Sequence, residues 1–356
     1  MTVAMVLLAY AVGVGTLGAR LLGRADWTGR APLLGIFTYL AAAWSVVAAL
    51  GLAGLTLAIH ATALGGALSQ LIGACVLRLR DTYATPGGMA AATAGLVLTA
   101  ALASRTVLTA ASHLRVTRRQ ALRHARTARL VGRPEPDLGA VLVDHAHPAA
   151  YCIGGRHPTV ILTTGALDVL APRQLDAVLA HERAHLAWRH HRLLALARIG
   201  RTALPFLPLM RDAEAEITRL VELHADDTAT KARDPRSLAI ALVVLATAGS
   251  DAAPIPASAP IPASAPIPAS APIPASAPGP GPAPVPASAS DTSPVLASAA
   301  TDAVQRIQRL LRPAEPLRGP QRMLLRAMAT VIVLGPLIMA LAPAVLALAL
   351  GRVPHA

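Results

Sequence analysis

Four stretches of this chain run for about 20 residues without a charged side chain: Met1–Ala19, Ala31–Ile59, Thr82–Ser104 and Ala327–Leu350. Each is long enough to cross a bilayer as a helix, and buried helices of soluble proteins rarely stay free of charge over that length. Composition agrees. Hydrophobic residues make up 54% of the chain and charged residues only 14%, against about 25% in an ordinary soluble globule. Met1–Ala19 has no basic leader or clear cleavage site, so it reads as an anchor rather than a removed signal peptide. Ala61–Leu77 is also apolar but shorter and carries Gly65, Gly66, Ser69 and Gln70, so it reads as a peripheral or extracytoplasmic loop.

The basic residues give a direction. Net charge is +13, and Lys231 is the only lysine. Arginines gather after the first stretch (Arg20, Arg24, Arg30), after the third (Arg105 to Arg133) and before the fourth (Arg306 to Arg326). The positive-inside rule puts all three clusters in the cytoplasm, with both termini outside and residues of about 105–326 inside. The basic run His113–Leu130 has no interleaved aromatic residue for base stacking, so nucleic acid is not an expected partner. Cys75 and Cys152 fall on opposite sides of the membrane in this topology and predict no disulfide.

Within the cytoplasmic segment, Val141–Asp144 and Thr159–Thr163 are short, β-branched runs bounded by Pro and Gly, and Ala150–Gly155 is a third candidate strand. Pro172 suits the first turn of a helix, and Leu175, Val178, Leu179 and Leu186 recur behind it at helical spacing. Further helices are predicted over Asp212–Ala232 and Pro235–Ala248. Leu193–Met210, apolar but interrupted, reads as a segment lying in the membrane interface. From Pro254 to Ala277 the hexapeptide PIPASA repeats four times. Proline at that density forbids helix and sheet alike, so residues 250–300 read as a disordered Pro/Ala/Ser-rich linker.

On the helix after Pro172 stands His-Glu-Arg-Ala-His, residues 181–185. His181 and His185 are about one turn apart, so both imidazoles project from one face and can share one ion. Glu182 is placed to reach water on that ion rather than to bind it. Zinc with three protein ligands leaves a fourth position for water and lowers its pKa towards about 7, so a carboxylate can take its proton. His190 and His191 fall off this face if the helix runs on at about 100° per residue; they read as its solvated basic end. A third ligand must come from elsewhere. Glu222, on the Asp212–Ala232 helix, is the first candidate, with Glu214 and Glu216 as alternatives. Asp226, one turn on from Glu222, can hydrogen-bond a ligand histidine. His224 points to another side of that helix. Tyr151, His145 and His147 are the nearby candidates for stabilising an oxyanion.

The segments Ala150–His191 and Val221–Asp227 resemble the BlaR/MecR family of membrane zinc metallopeptidases, and are similar to the related HtpX-type proteases. The resemblance implies an α-helical membrane protein of about four transmembrane helices with a cytoplasmic α+β gluzincin-like domain. It implies Zn2+ on His181, His185 and Glu222, Glu182 as catalytic base, and Asp226 as the trailing aspartate of the second motif. It further implies that peptide adds as a strand along Thr159–Thr163. The proline repeat is foreign to the family pattern. No Ser-x-x-Lys can be written, Lys231 being the only lysine, so no penicillin-sensing domain and no direct β-lactam sensor are expected.

The expected organisation is a three-span membrane region (1–104), a zinc metallopeptidase domain (105–249), the linker (250–300), a basic juxtamembrane segment (301–326) and a final span with its tail (327–356). The expected partners are the lipid bilayer and a peptide or protein substrate, a cytoplasmic repressor among the candidates. Membrane-protein quality control and a non-catalytic scaffold in which zinc only holds the fold are the rival roles.

Overall fold

The computed structural model of the chain describes residues 2–58, 88–155, 157–250 and 294–349. Ala61–Leu77, Cys75 and the PIPASA repeat lie outside them. Among the described residues, four helices are long and apolar enough to cross a membrane: Thr2–Gly23, Pro32–Leu57, Thr93–Ala128 and Gly319–Pro343. They belong to α1 (Thr2–Gly23, π-helical over Val14–Gly18), α2 (Pro32–Ala58), α3 (Gly88–Val131) and, at the far end, α10 (Gly319–Ala349). Tyr10 ties three of these together, its hydroxyl donating to the Ile332 carbonyl (2.9 Å) and lying 3.1 Å from the Ser45 hydroxyl. Where α2 and α3 cross, Gly54 and Gly95 face each other so closely that a Cβ on Gly54 would lie 2.8 Å from the Gly95 carbonyl oxygen. Small residues at such crossings let helix backbones approach in a medium that gives no hydrophobic drive.

α3 has 44 residues, about 66 Å at 1.5 Å per residue, twice the ~30 Å of hydrocarbon. From Gly88 onward the third apolar stretch and the basic run after it are one helix. Its C-terminal part packs Ala128 against Ile153 and Ile161 of the sheet.

The sheet comprises β1 (Arg133–Glu135), β2 (Ala140–Val143), β3 (Ala150–Ile153) and β4 (Thr159–Thr163) in the order β1-β2-β4-β3. β2 and β4 run parallel; the other pairs are antiparallel. Strand β4 is thus flanked on both sides. The expected strand addition beside Thr159–Thr163 is corrected: the backbone groups of β4 are already used, and the strand of this pair left at the sheet's edge is β3.

Helices α4 (Thr164–Val169), α5 (Pro172–Ala187), α6 (His190–Ala203), α7 (Pro208–Ala229) and α8 (Pro235–Ser250) follow. The Thr163 hydroxyl caps α4 by accepting from the Ala166 N–H (3.3 Å). At α5, Pro172 fills the first turn and Gln174 reaches back to accept from the Ala171 N–H (2.9 Å). Leu142, Leu162, Ala166, Val178 and Leu238 form the core between sheet and helices.

Two boundaries differ from the sequence expectation. Leu209, Met210, Ile217 and Leu220 of α7 share one core with Leu7 of α1 and Ile36, Tyr39 and Val46 of α2. Position 104/105 therefore separates no two packed bodies. Within Leu193–Met210, Ala197, Ala203 and Leu204 are buried in that same core while Leu196 and Phe206 stay exposed, and Arg105 caps the end of α6 by donating to the carbonyls of Ala203 (2.6 Å) and Thr202 (3.0 Å). The second difference is α9 (Pro294–Leu311), which begins inside the expected linker and includes part of the expected juxtamembrane segment. Free of proline after its first residue, it lays Ile307 and Leu310 against the α8 core.

Candidate metal centre

Three side-chain donors converge between α5 and α7. His181, His185 and Glu222 bring one ligand atom each to within 4.8 Å of one another. The Nε2 atoms of the two histidines are 3.1 Å apart, and the Glu222 oxygens lie 3.6 Å from His181 Nε2 and 3.7 Å from His185 Nε2. Ligands about 2.0–2.1 Å from a tetrahedral zinc sit about 3.3 Å from each other, so two nitrogens and a carboxylate at 3.1–3.7 Å fit that ion. Glu222 is seated by its neighbour Leu220, fully buried and packed on Gly35 near the start of α2. The centre therefore lies level with the end of a membrane-length helix.

Around the donors the charges interlock. Asp226 is 1% exposed and sits 3.0 Å from His181 Nδ1, a contact too poorly aligned to be a hydrogen bond. Arg306 of α9 donates to both Asp226 oxygens (2.8 Å each) and lies 3.0 Å from Glu222. Arg309, one turn on, pairs with Asp227. Burial would lower His181, but its contacts with Asp226 and Glu222 hold it up at about 9. Burial pushes His185 down to about 4, with the charges of His181 and Arg306 acting the same way. Burial raises Glu222, but His181 and Arg306 outweigh it and leave the carboxyl well below the usual range. Burial raises the carboxyl of Glu182, and the half-buried Cys152 thiol beside it is pushed up as well, keeping it neutral.

The other sequence candidates lie elsewhere. Glu214 pairs with Arg201 (2.7 Å) and Arg198, and Glu216 with Arg219. Tyr151 packs with Ala121, Ala128 and Val143 on the α3 side of the sheet, whereas Cys152 faces α5 among Leu175 and Leu186. Alternation along β3 thus removes Tyr151 from the centre. His145 and His147 organise the β2–β3 turn, the His147 N–H donating to His145 Nδ1 (3.0 Å).

Two expectations need correcting. His190 is 1% exposed, not solvated, and its Nδ1 lies 3.1 Å from His185 Nδ1. The chain turns at Arg189, whose φ of 50° is left-handed. The 100° count is broken there, and His190 swings back under the centre. His191 is half-buried against Gly154, where a Cβ would lie 2.5 Å from His191 Nδ1. Nothing in "WRHH" marks that turn. Arg306 was findable in principle: three clustered acids at Glu222, Asp226 and Asp227 require buried counter-charge, and Arg306 and Arg309 share one helix face.

Residues 115–219, under a third of the chain, match the profile of Peptidase family M48. Two curated proteins, each named Protease HtpX homolog, are similar over 73 residues: one from Ralstonia pickettii (strain 12J) at 38% identity, one from Ralstonia nicotianae (strain ATCC BAA-1114 / GMI1000) at 37%. Each match covers 20% of this chain and 24% of the relative, so the chain spans about a quarter of the length of the curated relatives it matches. No solved structure matches. The matched family stretch includes His181–His185 and stops before Glu222.

Proposed function

We propose that the chain is a membrane-embedded zinc endopeptidase that cuts extended cytoplasmic or juxtamembrane segments in regulatory signalling. The observation that carries this reading is the convergence of His181, His185 and Glu222 at tetrahedral ligand spacing with Glu182 beside them. The protease name of the similar proteins and the M48 match support the reaction class. The regulatory role rests on the BlaR/MecR resemblance of Ala150–His191 and Val221–Asp227.

His181, His185 and Glu222 would hold the ion. Bound there, zinc supplies Lewis acidity that polarises a carbonyl and brings water's pKa near neutrality. Glu182 accepts a proton from the attacking water and hands it to the leaving nitrogen. Its burial raises the carboxyl above the usual carboxylate range. A substrate pairs with the edge strand β3, main chain to main chain, which presents the peptide along the helix that carries Glu182. A purely structural zinc has no use for a buried acid at this position, which argues against the scaffold role.

The reading requires that native protein purified in detergent hold one zinc and cleave an unstructured peptide. Glu222→Ala should lose the zinc, because two histidines alone bind it weakly. Elemental analysis checks this, and full zinc in that variant would take the third ligand away from Glu222.

The proposed cytoplasmic placement rests on the arginine clusters. Reporters fused after Arg30 and within the proline tract should read as cytoplasmic, and one after Arg80 as outside. A cytoplasmic signal after Arg80 would overturn the span assignment.

A further inference from the structure

Behind the metal ligands lies a line of imidazoles that the proposed chemistry does not use. His185 Nδ1 is 3.1 Å from His190 Nδ1, and His190 Nε2 is 3.0 Å from His224 Nδ1. His190 and His224 are both buried, at 1% and 7% exposure, and Trp188 closes the far end edge-to-face with His224, ring centroids 4.8 Å apart. His190 reaches this place only because Arg189 adopts the left-handed conformation, which is sterically unfavourable for a residue with a Cβ. Ligand histidines usually turn their second nitrogen to a carboxylate, carbonyl or water. His181 turns its Nδ1 towards the Asp226 carboxylate, 3.0 Å away; His185 meets another imidazole.

We propose that His190 is a positioning residue for the metal centre, fixing the tautomer and ring plane of His185, and that His224 fixes His190 in turn. The inference rests on the zinc reading above. With His185 Nε2 facing the other donors, Nδ1 carries its hydrogen and donates to His190 Nδ1. His190 then carries its own hydrogen on Nε2 and donates to His224 Nδ1. One metal contact thus selects one tautomer in all three rings.

Zinc affinity, read by competition with a chromogenic chelator on the full chain in detergent, tests this. His190→Leu removes the acceptor at similar bulk and should weaken zinc binding about 10- to 100-fold. His190→Asn keeps an acceptor atom at the place of Nδ1 and should recover most of that loss. His224→Leu should weaken binding less in the native chain and not at all beside His190→Leu, because it acts through His190. The visible spectrum of the Co2+-loaded protein, which reports ligand geometry, should be native-like in His190→Asn and altered in His190→Leu. The proposal is overturned if His190→Leu binds zinc as the native chain does, if Asn and Leu are equally weak, or if His224→Leu has its full effect in the His190→Leu background. Loss of stoichiometric zinc from the native chain would instead remove the zinc reading itself.

Discussion

Glu182→Gln should keep one zinc per chain and lose about 100- to 10,000-fold of the peptide cleavage rate, the usual contribution of a positioned base. The amide fills the same space between α5 and β3 but accepts no proton at neutral pH. Cys152, the group facing Glu182, cannot substitute, because burial keeps its thiol protonated. Elemental analysis and a peptide assay on the same preparation separate loss of base from loss of metal. A variant with native activity would place the base elsewhere. In cells, labelling new N-termini in the native and Glu182→Gln strains distinguishes the roles. Cuts confined to one repressor mean signalling, and cuts across many membrane proteins mean quality control. Cuts restricted to extracytoplasmic segments would refute the topology.

Arg306→Ala should be the most damaging substitution to the fold among these residues, at about 3–5 kcal/mol, the range found when one partner of a buried ion pair is removed. Asp226, 1% exposed, would lose both of its guanidinium bonds and keep only His181, 3.0 Å away, as a counter-charge shared with Glu222. Arg306→Lys keeps the charge but cannot grip both oxygens, so it should restore only part of the loss. Arg309→Ala should cost about 1 kcal/mol or less, since its partner Asp227 is more than a third exposed. Denaturant unfolding in detergent reads all three. A native midpoint for Arg306→Ala would mean that α9 does not hold the centre.

What the sequence discloses follows from how local each cause is. The long apolar helices are written in charge-free length, and α5 in Pro172 and the leucine spacing. Strand β4 is bounded as its β-branched run suggests, Thr159–Thr163. The face shared by His181 and His185 follows from four-residue spacing. What stayed hidden depends on contacts between distant residues or on a backbone choice without a marker. Arg306 meets Asp226 across 80 positions, and its arginine cluster already had a sufficient explanation in membrane topology. Arg189 takes a conformation that glycine or asparagine would have announced. Strand order is silent in the sequence, so β4 looked available although β2 and β3 both pair with it.

The core that joins α7 to α1 and α2 bears on how such a chain can be inherited. Leu220 fits against Gly35 so closely that a Cβ there would come within 2.9 Å of it. Enlargement on either side must be answered on the other. The half that carries the candidate metal centre, transplanted without its own first two helices, would expose Leu209, Met210, Ile217 and Leu220 as one apolar patch. The part that carries the candidate metal centre and the first two helices should therefore not behave as interchangeable modules: enlarging substitutions in α2 and α7 should be tolerated only in compensating pairs.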